Sequence, residues 1–249
     1  MANLYFAERT GSENWNQGTL VTIIGDEARH AVRVSRLRVG EQILVGDGVG
    51  VIGEGTVESV AKDSFVVRLE GVLHDPEPMT QIVLVQALAK GDRDERAVEQ
   101  ATEFGVDGFV PWQAERSVSR WSSPEKLAKG VAKWARIARE ASKQSLRSRI
   151  PVVQEPLALD GLRTLAASDA AHVVVLHPRG SRALSDWRPP ATAGTIYLVV
   201  GPEGGLSDAE LDTLEAAGAE ILVLGDTVLR TSSAGPAALA VLNVSLGRW

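Results

Sequence analysis

LVVGPEGGLSDAEL, residues 198–211, joins an apolar run to a glycine cluster and then to a helix start. TIYLVV, residues 195–200, has the pattern of a buried strand, Ser207 with Glu210 forms a capping box, and Gly218 supplies the stop. Strand, loop and helix in that order are one βα unit of an α/β fold. The loop is unusual in its charge. A phosphate cradle of the G-x-x-x-x-G-K-[ST] type needs a lysine, and Gly201, Pro202, Glu203, Gly204 and Gly205 offer a carboxylate instead. Such a loop suits a neutral or cationic ligand that backbone groups approach closely.

HVVVL runs into HPRG at 172–180 and EILVL into GDTVLR at 220–230. Ligands of open α/β sheets bind beyond the carboxyl ends of strands, so these loops are either ordinary turns or three walls of one small-molecule site. From residue 81 onward strands alternate with helical periods, as in QIVLVQALAK, DRDERAVEQATEF and GFVPW, which predicts a mostly parallel sheet covered on both faces. Residues 1–73 read differently, as short strands (LYFAE, LVTII, QILVGDG, VIGEGTVESV, SFVVRLEG) with one helical piece, DEARHAVRVSRL, and suggest a small β barrel or sandwich. HDPEPMT, residues 74–80, reads as a linker, which places the second domain at 80–249. GVGVIG at 48–53 fits the dinucleotide fingerprint letter for letter, but strand follows it where a helix is required, so a nucleotide-dependent oxidoreductase has no other support.

Composition excludes several classes. The 249 residues contain no cysteine and four scattered histidines, which leaves no disulfide framework and no thiolate or clustered-histidine metal site. No apolar run spans a bilayer and MANLYFAERT lacks a secretory pattern, so a cytoplasmic location is expected. The net charge of −6 hides an uneven distribution: residues 74–151 alone are net positive, with 13 basic and 11 acidic groups. Between 124 and 150, Lys126, Lys129, Lys133, Arg136, Arg139, Lys143 and Arg147 fall in one helical arc, opposite Leu127, Val131, Trp134, Ala138 and Ala141. That face is either solvated or turned toward an anion. Seven like charges repel and forgo Glu-to-Lys pairing, and RNA is the natural compensating partner.

VGPEGG (200–205), LGDTVLRT (224–231), KGDRDERAVEQATEFGV (90–106), ERSV (115–118), EASKQSLRSRIP (140–151) and HAVRVSRLRVGEQILVGDGVG (30–50) occur in an order that resembles the bacterial 16S ribosomal RNA (uracil-N3) methyltransferase family of the SPOUT class. The resemblance covers nearly the whole chain. It implies a PUA-like β barrel for RNA followed by an α/β domain whose C-terminal segment threads a deep trefoil knot, in a homodimer. It also implies S-adenosylmethionine held by Leu176 and His177, by Val200, Gly201, Pro202, Glu203 and Gly204, and by Leu224, Gly225, Leu229 and Arg230. The sulfonium of that molecule is a cation without phosphate, in keeping with Glu203 and the missing lysine.

The implied reaction is methyl transfer to N3 of a uridine of 16S rRNA in the small ribosomal subunit, position 1498 in the usual numbering. Loss of the N3 proton places charge on the uracil carbonyls, and Arg230 is the guanidinium expected to stabilise it. Arg116, Lys143 and Arg147 are expected to hold the RNA backbone, with Arg9, Arg33 and Arg36 helping from the barrel. The family usually follows the arginine with Thr-Glu-Thr, whereas Thr231, Ser232 and Ser233 stand here, so no general base is assigned. The family's arginine near the first strand is likewise replaced by Asn3, Leu4 and Tyr5, with Arg9 the nearest substitute. Another RNA such as tRNA, or a ribosome assembly factor that binds RNA without catalysis, are the competing readings.

Overall fold

The computed structural model describes residues 3–7, 14–189 and 194–249. The chain divides into two units, the first comprising residues up to Glu77 together with Ser142–Ile150. Its elements are β1 (Leu4–Phe6), β2 (Leu20–Ile24), α1 (Gly25–Arg33), β3 (Gln42–Gly46), β4 (Val51–Val60) and β5 (Ser64–His74). They form a five-stranded sheet in the order β1-β3-β4-β5-β2, antiparallel except where β1 joins β3. Alternation decides which side chains turn inward. Val21 and Ile23 of β2 are buried while Leu20 and Ile24 are exposed, and Ile43, Val45, Phe65, Val67 and Leu69 complete a core closed by Ala28 and Ala31 of α1.

Two expectations change in this unit. The helical piece read as DEARHAVRVSRL stops at Arg33, because the Leu37 N–H bonds back to the Ala31 carbonyl and carries Leu37 into the core, with Arg36 at φ 56°. The stretch from His74 is not all linker either, since β5 runs through His74 and Asp75 is held by the Ser148 hydroxyl at 2.5 Å and by Arg149 at its carbonyl. GVGVIG contains no βα turn. The Ile150 N–H donates to the Gly48 carbonyl and the Gly50 N–H to Ser148, with both glycines at positive φ, so these glycines admit the returning 148–150 segment.

The second unit contains β6 (Gln81–Ala87), α2 (Arg93–Glu103), β7 (Gly108–Trp112), most of α3 (Pro124–Gln144), β8 (Val152–Val153), α4 (Leu159–Ala166), β9 (Ala171–Leu176), β10 (Arg182–Ala183), a 3₁₀ turn (Leu184–Asp186), β11 (Thr195–Val200), α5 (Asp208–Ala216), β12 (Glu220–Val223) and α6 (Thr231–Ser245). Seven strands pair in parallel in the order β10-β12-β9-β11-β6-β7-β8. Both faces are covered, as the near-continuous apolar strands require. Ile82 and Leu84 of β6 pack with Val98, Trp134, Leu239 and Leu242 from α2, α3 and α6, whereas Val83 and Val85 pack with Leu162, Leu211 and Leu214 from α4 and α5. The sequence pattern did not show β8, β10 or the 3₁₀ turn, each too short to carry a period.

Helix α6 lies close to the sheet because Gly235 faces Leu84: a Cβ at that position would meet the leucine side chain at 2.9 Å.

Candidate functional site

Strands β12, β9 and β11 are neighbours, and their register places Leu222, Leu176 and Val200 at one level. The loops that leave their carboxyl ends surround a cavity of about 580 Å³, within the range of small-molecule sites. Leu176 and His177 come from the first loop, Val200, Gly201, Pro202 and Glu203 from the second, and Leu224, Gly225, Leu229 and Arg230 from the third. The predicted cofactor residues are thus brought together, except Gly204. Its carbonyl accepts from Arg116 at 3.1 Å and its missing side chain leaves room for that arginine's Cβ, so Gly204 faces away from the cavity lining. Gly205, at φ 69°, lines the cavity in its place.

The capping box forms as read: Ser207 Oγ accepts from the Glu210 N–H and Glu210 bonds back to the Ser207 N–H at 2.8 Å. This anchors the far end of the glycine loop. The near end is anchored by Thr231, whose hydroxyl donates to the Gly201 carbonyl at 2.7 Å and accepts from Gln86 Nε2 at 2.8 Å. Gln86 is fully buried, and its Oε1 has no partner among the described residues. Neither residue was assigned a role from sequence, because a glutamine at the end of a buried strand looks like any other strand residue.

The electrostatics differ from the sequence expectation at Glu203. Its carboxylate bonds Arg93 at 2.6 Å and accepts the Lys90 N–H at 2.9 Å. Partial burial works against its charge, but the Arg93 hydrogen bond and backbone donors outweigh that and hold the carboxyl below its ordinary value. Glu203 is therefore half of a neutral pair and not a lone anion awaiting a cation. Arg93 itself lines the cavity. His177 is held below its ordinary value by burial first and then by the charges of Arg179 and Arg116, with Asp208 opposing. Its Nδ1 accepts the Arg179 N–H at 3.1 Å, which leaves the proton of the neutral ring on Nε2. Arg230 is exposed and has no carboxylate partner among the described residues, so a structural salt bridge does not account for it.

Residues 75–243 match the RNA methyltransferase domain and residues 23–70 the RNA methyltransferase PUA domain. Over 236 residues the chain is 40% identical to the ribosomal RNA small subunit methyltransferase E of Mycobacterium tuberculosis, covering 93% of this chain and 89% of the relative. The chain belongs to the ribosomal RNA small subunit methyltransferase E family. The Bacillus subtilis member is 30% identical over 246 residues, covering 96% and 95% of the two chains. Among solved structures, the Neisseria gonorrhoeae member bound to S-adenosylmethionine superposes with a TM-score of 0.85 at 26% identity, and a Legionella pneumophila protein in complex with the same cofactor with 0.84 at 30%; each covers 98% of both chains.

The residues expected to hold RNA are less uniform than those of the cavity in this methyltransferase E family member. Lys143 does not stand on an exposed ridge: its side chain is 9% exposed and pairs at 3.3 Å with Glu27, also 9% exposed. Arg147 lies beyond α3, which ends at Gln144 before Leu146 turns through φ 56°. Arg116 donates to the Gly204 and Leu206 carbonyls at 3.1 and 3.2 Å and so braces the glycine loop. Arg33 and Arg36 are exposed, and Arg9 lies outside the described residues. Nor is the basic face bare of carboxylates, since Lys129 pairs with Glu125 and Lys133 with Glu95. Among the described residues no metal-holding cluster of His, Asp or Glu occurs, and no helix is long and apolar enough to cross a membrane.

Proposed function

We propose that this protein methylates N3 of a uridine in 16S rRNA of the small ribosomal subunit, in the cytoplasm, with S-adenosylmethionine as methyl donor. The observation that carries this reading is the convergence of three loops from adjacent parallel strands on one cavity. Apolar Leu176, Val200, Leu206 and Leu224 line it beside backbone groups of Gly201, Pro202 and Gly225, with no lysine in the lining. That surface fits the apolar faces of a nucleoside, and its charged groups are the mutually paired Arg93 and Glu203 and Arg230, unpaired among the described residues.

When bound, S-adenosylmethionine supplies a methyl group on a positively charged sulfur. The chain's part is alignment and exclusion of water. The leucines dry the site, Thr231 and the Ser207 cap fix the two ends of the glycine loop, and Arg93 and Glu203 cancel each other's charge, which leaves the Arg230 guanidinium as the uncancelled charge of the lining. Arg230 acts on the acceptor: as the N3 proton leaves, its guanidinium stabilises charge on the uracil carbonyls. N3 lies on the pairing edge, so the uridine is met unpaired or extruded. Arg33, Arg36 and Arg147 contribute phosphate contacts, Arg116 acts through the glycine loop, and Lys143 acts by holding Glu27.

The family resemblance also supports a C-terminal trefoil knot and a homodimer. Helix α6, the segment such a knot would thread, packs on α2, the 3₁₀ turn, β11 and β6. Val228, Val244 and Trp249 are apolar and exposed, as a second protomer would require. Stretching the molecule from its two ends should stop short of the full contour length if the knot tightens. Light scattering should give twice the 26.5 kDa chain mass.

Mass spectrometry of rRNA from cells lacking the protein should show one 16S uridine without its methyl group, restored by the purified protein and S-adenosylmethionine. An unchanged methylation pattern would overturn the assignment.

A further inference from the structure

A second cavity, about 290 Å³, opens between α2 and α3, on the same edge of the parallel sheet as the first. Ala89 and Gly91 follow β6 and Ser119 and Trp121 follow β7, so it lies at the carboxyl ends of β6, which pairs with β11, and of β7, the next strand in the sheet. Consecutive residues at the start of α2 line the two cavities, Arg93 the first and Asp94 and Glu95 the second.

Its lining combines two features. Trp121 is half-buried, its ring lying over Gly130, where any side chain would collide with the indole, and it meets Trp134 in a T-shaped contact with ring centroids 5.6 Å apart and planes at 73°. Lys126, Lys129 and Lys133 stand around it on α3. Lys133 is paired with Glu95 at 2.5 Å, Lys129 with Glu125 through side chains that are both largely exposed, and Lys126 has no ion-pair partner among the described residues. Exposed pairs hold weakly and are readily exchanged for a phosphate. Asp94 accepts the Ala89 and Glu95 N–H groups. An aromatic plate flanked by lysines is the arrangement that binds single-stranded nucleic acid, stacking on the ring and neutralisation at the ammonium groups acting together.

We propose that this second cavity receives a nucleotide of the RNA substrate near the target uridine, with its base against Trp121 and its phosphate on Lys126 and Lys129. The inference rests on the RNA methyltransferase reading above and adds a second contact to it. It also locates the purpose of the basic face at its N-terminal half, away from Lys143.

The test uses the whole protein and two measurements. Binding of a short fluorescein-labelled single-stranded oligoribonucleotide is followed by anisotropy, and methyl transfer to small ribosomal subunits is followed with labelled S-adenosylmethionine. Trp121→Ala should weaken oligoribonucleotide binding and raise the KM for subunits by about tenfold, Trp121→Phe should recover most of the loss, and calorimetric affinity for S-adenosylmethionine should not move. Lys126→Glu, at an exposed position that folding does not depend on, should weaken RNA binding several-fold and lessen its salt dependence. Unchanged RNA affinity and KM in both Lys126→Glu and Trp121→Ala would overturn the subsite even if methyl transfer is robust. Oligoribonucleotide binding that depends on Trp121 and Lys126 in a protein that transfers no methyl group would instead uphold the subsite and remove the enzymatic reading.

Discussion

The Thr231 hydroxyl donates to the Gly201 carbonyl at 2.7 Å, across thirty residues of chain, and ties the first turn of α6 to the glycine loop. Gln86 completes the tie by donating to the same hydroxyl. Thr231→Val keeps the shape and removes both hydrogen bonds; the Gln86 amide keeps the Ala87 carbonyl at 3.1 Å but loses its second acceptor, and the part-buried Gly201 carbonyl loses its donor, at a total cost of about 1–3 kcal/mol. The expected outcome is a lower Tm together with about tenfold weaker S-adenosylmethionine binding by calorimetry. Thr231→Ser should retain both. Equal affinities in Val and Thr proteins would show that the loop is held without this tie.

Arg230 is exposed at the cavity rim beside Leu229 and has no carboxylate partner among the described residues, which leaves its guanidinium available for the role proposed for it on the acceptor base. Arg230→Ala is expected to lower kcat by about 10²–10³-fold, the usual loss for one donor to a developing anion. Affinities for S-adenosylmethionine and RNA should change less than threefold. A proportionate loss in RNA affinity would reduce Arg230 to a binding contact.

The Arg93–Glu203 pair sets the electrostatic balance of the cavity. Removing the cation in Arg93→Gln leaves Glu203 uncompensated, and removing the anion in Glu203→Gln leaves Arg93. The ratio of affinities for cationic S-adenosylmethionine over its neutral thioether product should therefore rise about threefold in the first variant and fall about threefold in the second, the scale of a unit charge partly screened by solvent. Calorimetric titrations with both ligands measure the ratio; the same ratio in both variants would place the sulfur away from the pair.

Asp94 lines the second cavity, and burial raises its carboxyl to about 6, against the opposing effect of the Ala89 and Glu95 N–H groups. The group is protonated in the fold and ionised in the unfolded chain between about pH 4 and 6, so it favours the fold at low pH and loses that contribution as pH rises toward 6. Asp94→Asn stays neutral throughout. The Tm difference between Asp94→Asn and the unaltered protein should accordingly grow in favour of the variant from pH 4 to pH 7, and a difference independent of pH would show that Asp94 titrates normally.

Lys143 and Glu27 form a pair nearly closed to solvent within the first unit. Removing Lys143 takes a cation from a desolvated carboxylate that keeps the Phe6 N–H at 3.1 Å, so the cost falls below the roughly 3–5 kcal/mol of a wholly uncompensated buried charge. Lys143→Ala should therefore lower stability in urea, with a smaller effect on the RNA affinity of the folded fraction. The opposite pattern, intact stability and weakened RNA binding, would return Lys143 to the RNA surface.

Local pattern reached a long way in this protein. The strand 195–200, the Ser207–Glu210 cap and the Gly218 stop need only neighbouring residues, and the apolar runs in β6, β9 and β11 report a strand buried on both faces wherever it sits in the sheet. These determined the α/β class, and the glycine loops with their missing lysine narrowed the ligand. Motif context also disposed of GVGVIG, since the requirement for a following helix is itself local. What depended on distance in sequence was legible only after folding. Strand order is set by the packing of side chains far apart along the chain, so only the assembled sheet showed that the loops after β9, β11 and β12 meet. Charges behaved likewise: from sequence Glu203 is an anion and Lys143 a cation, and whether each charge faces solvent or is neutralised rests on partners 110 and 116 residues away, Arg93 and Glu27.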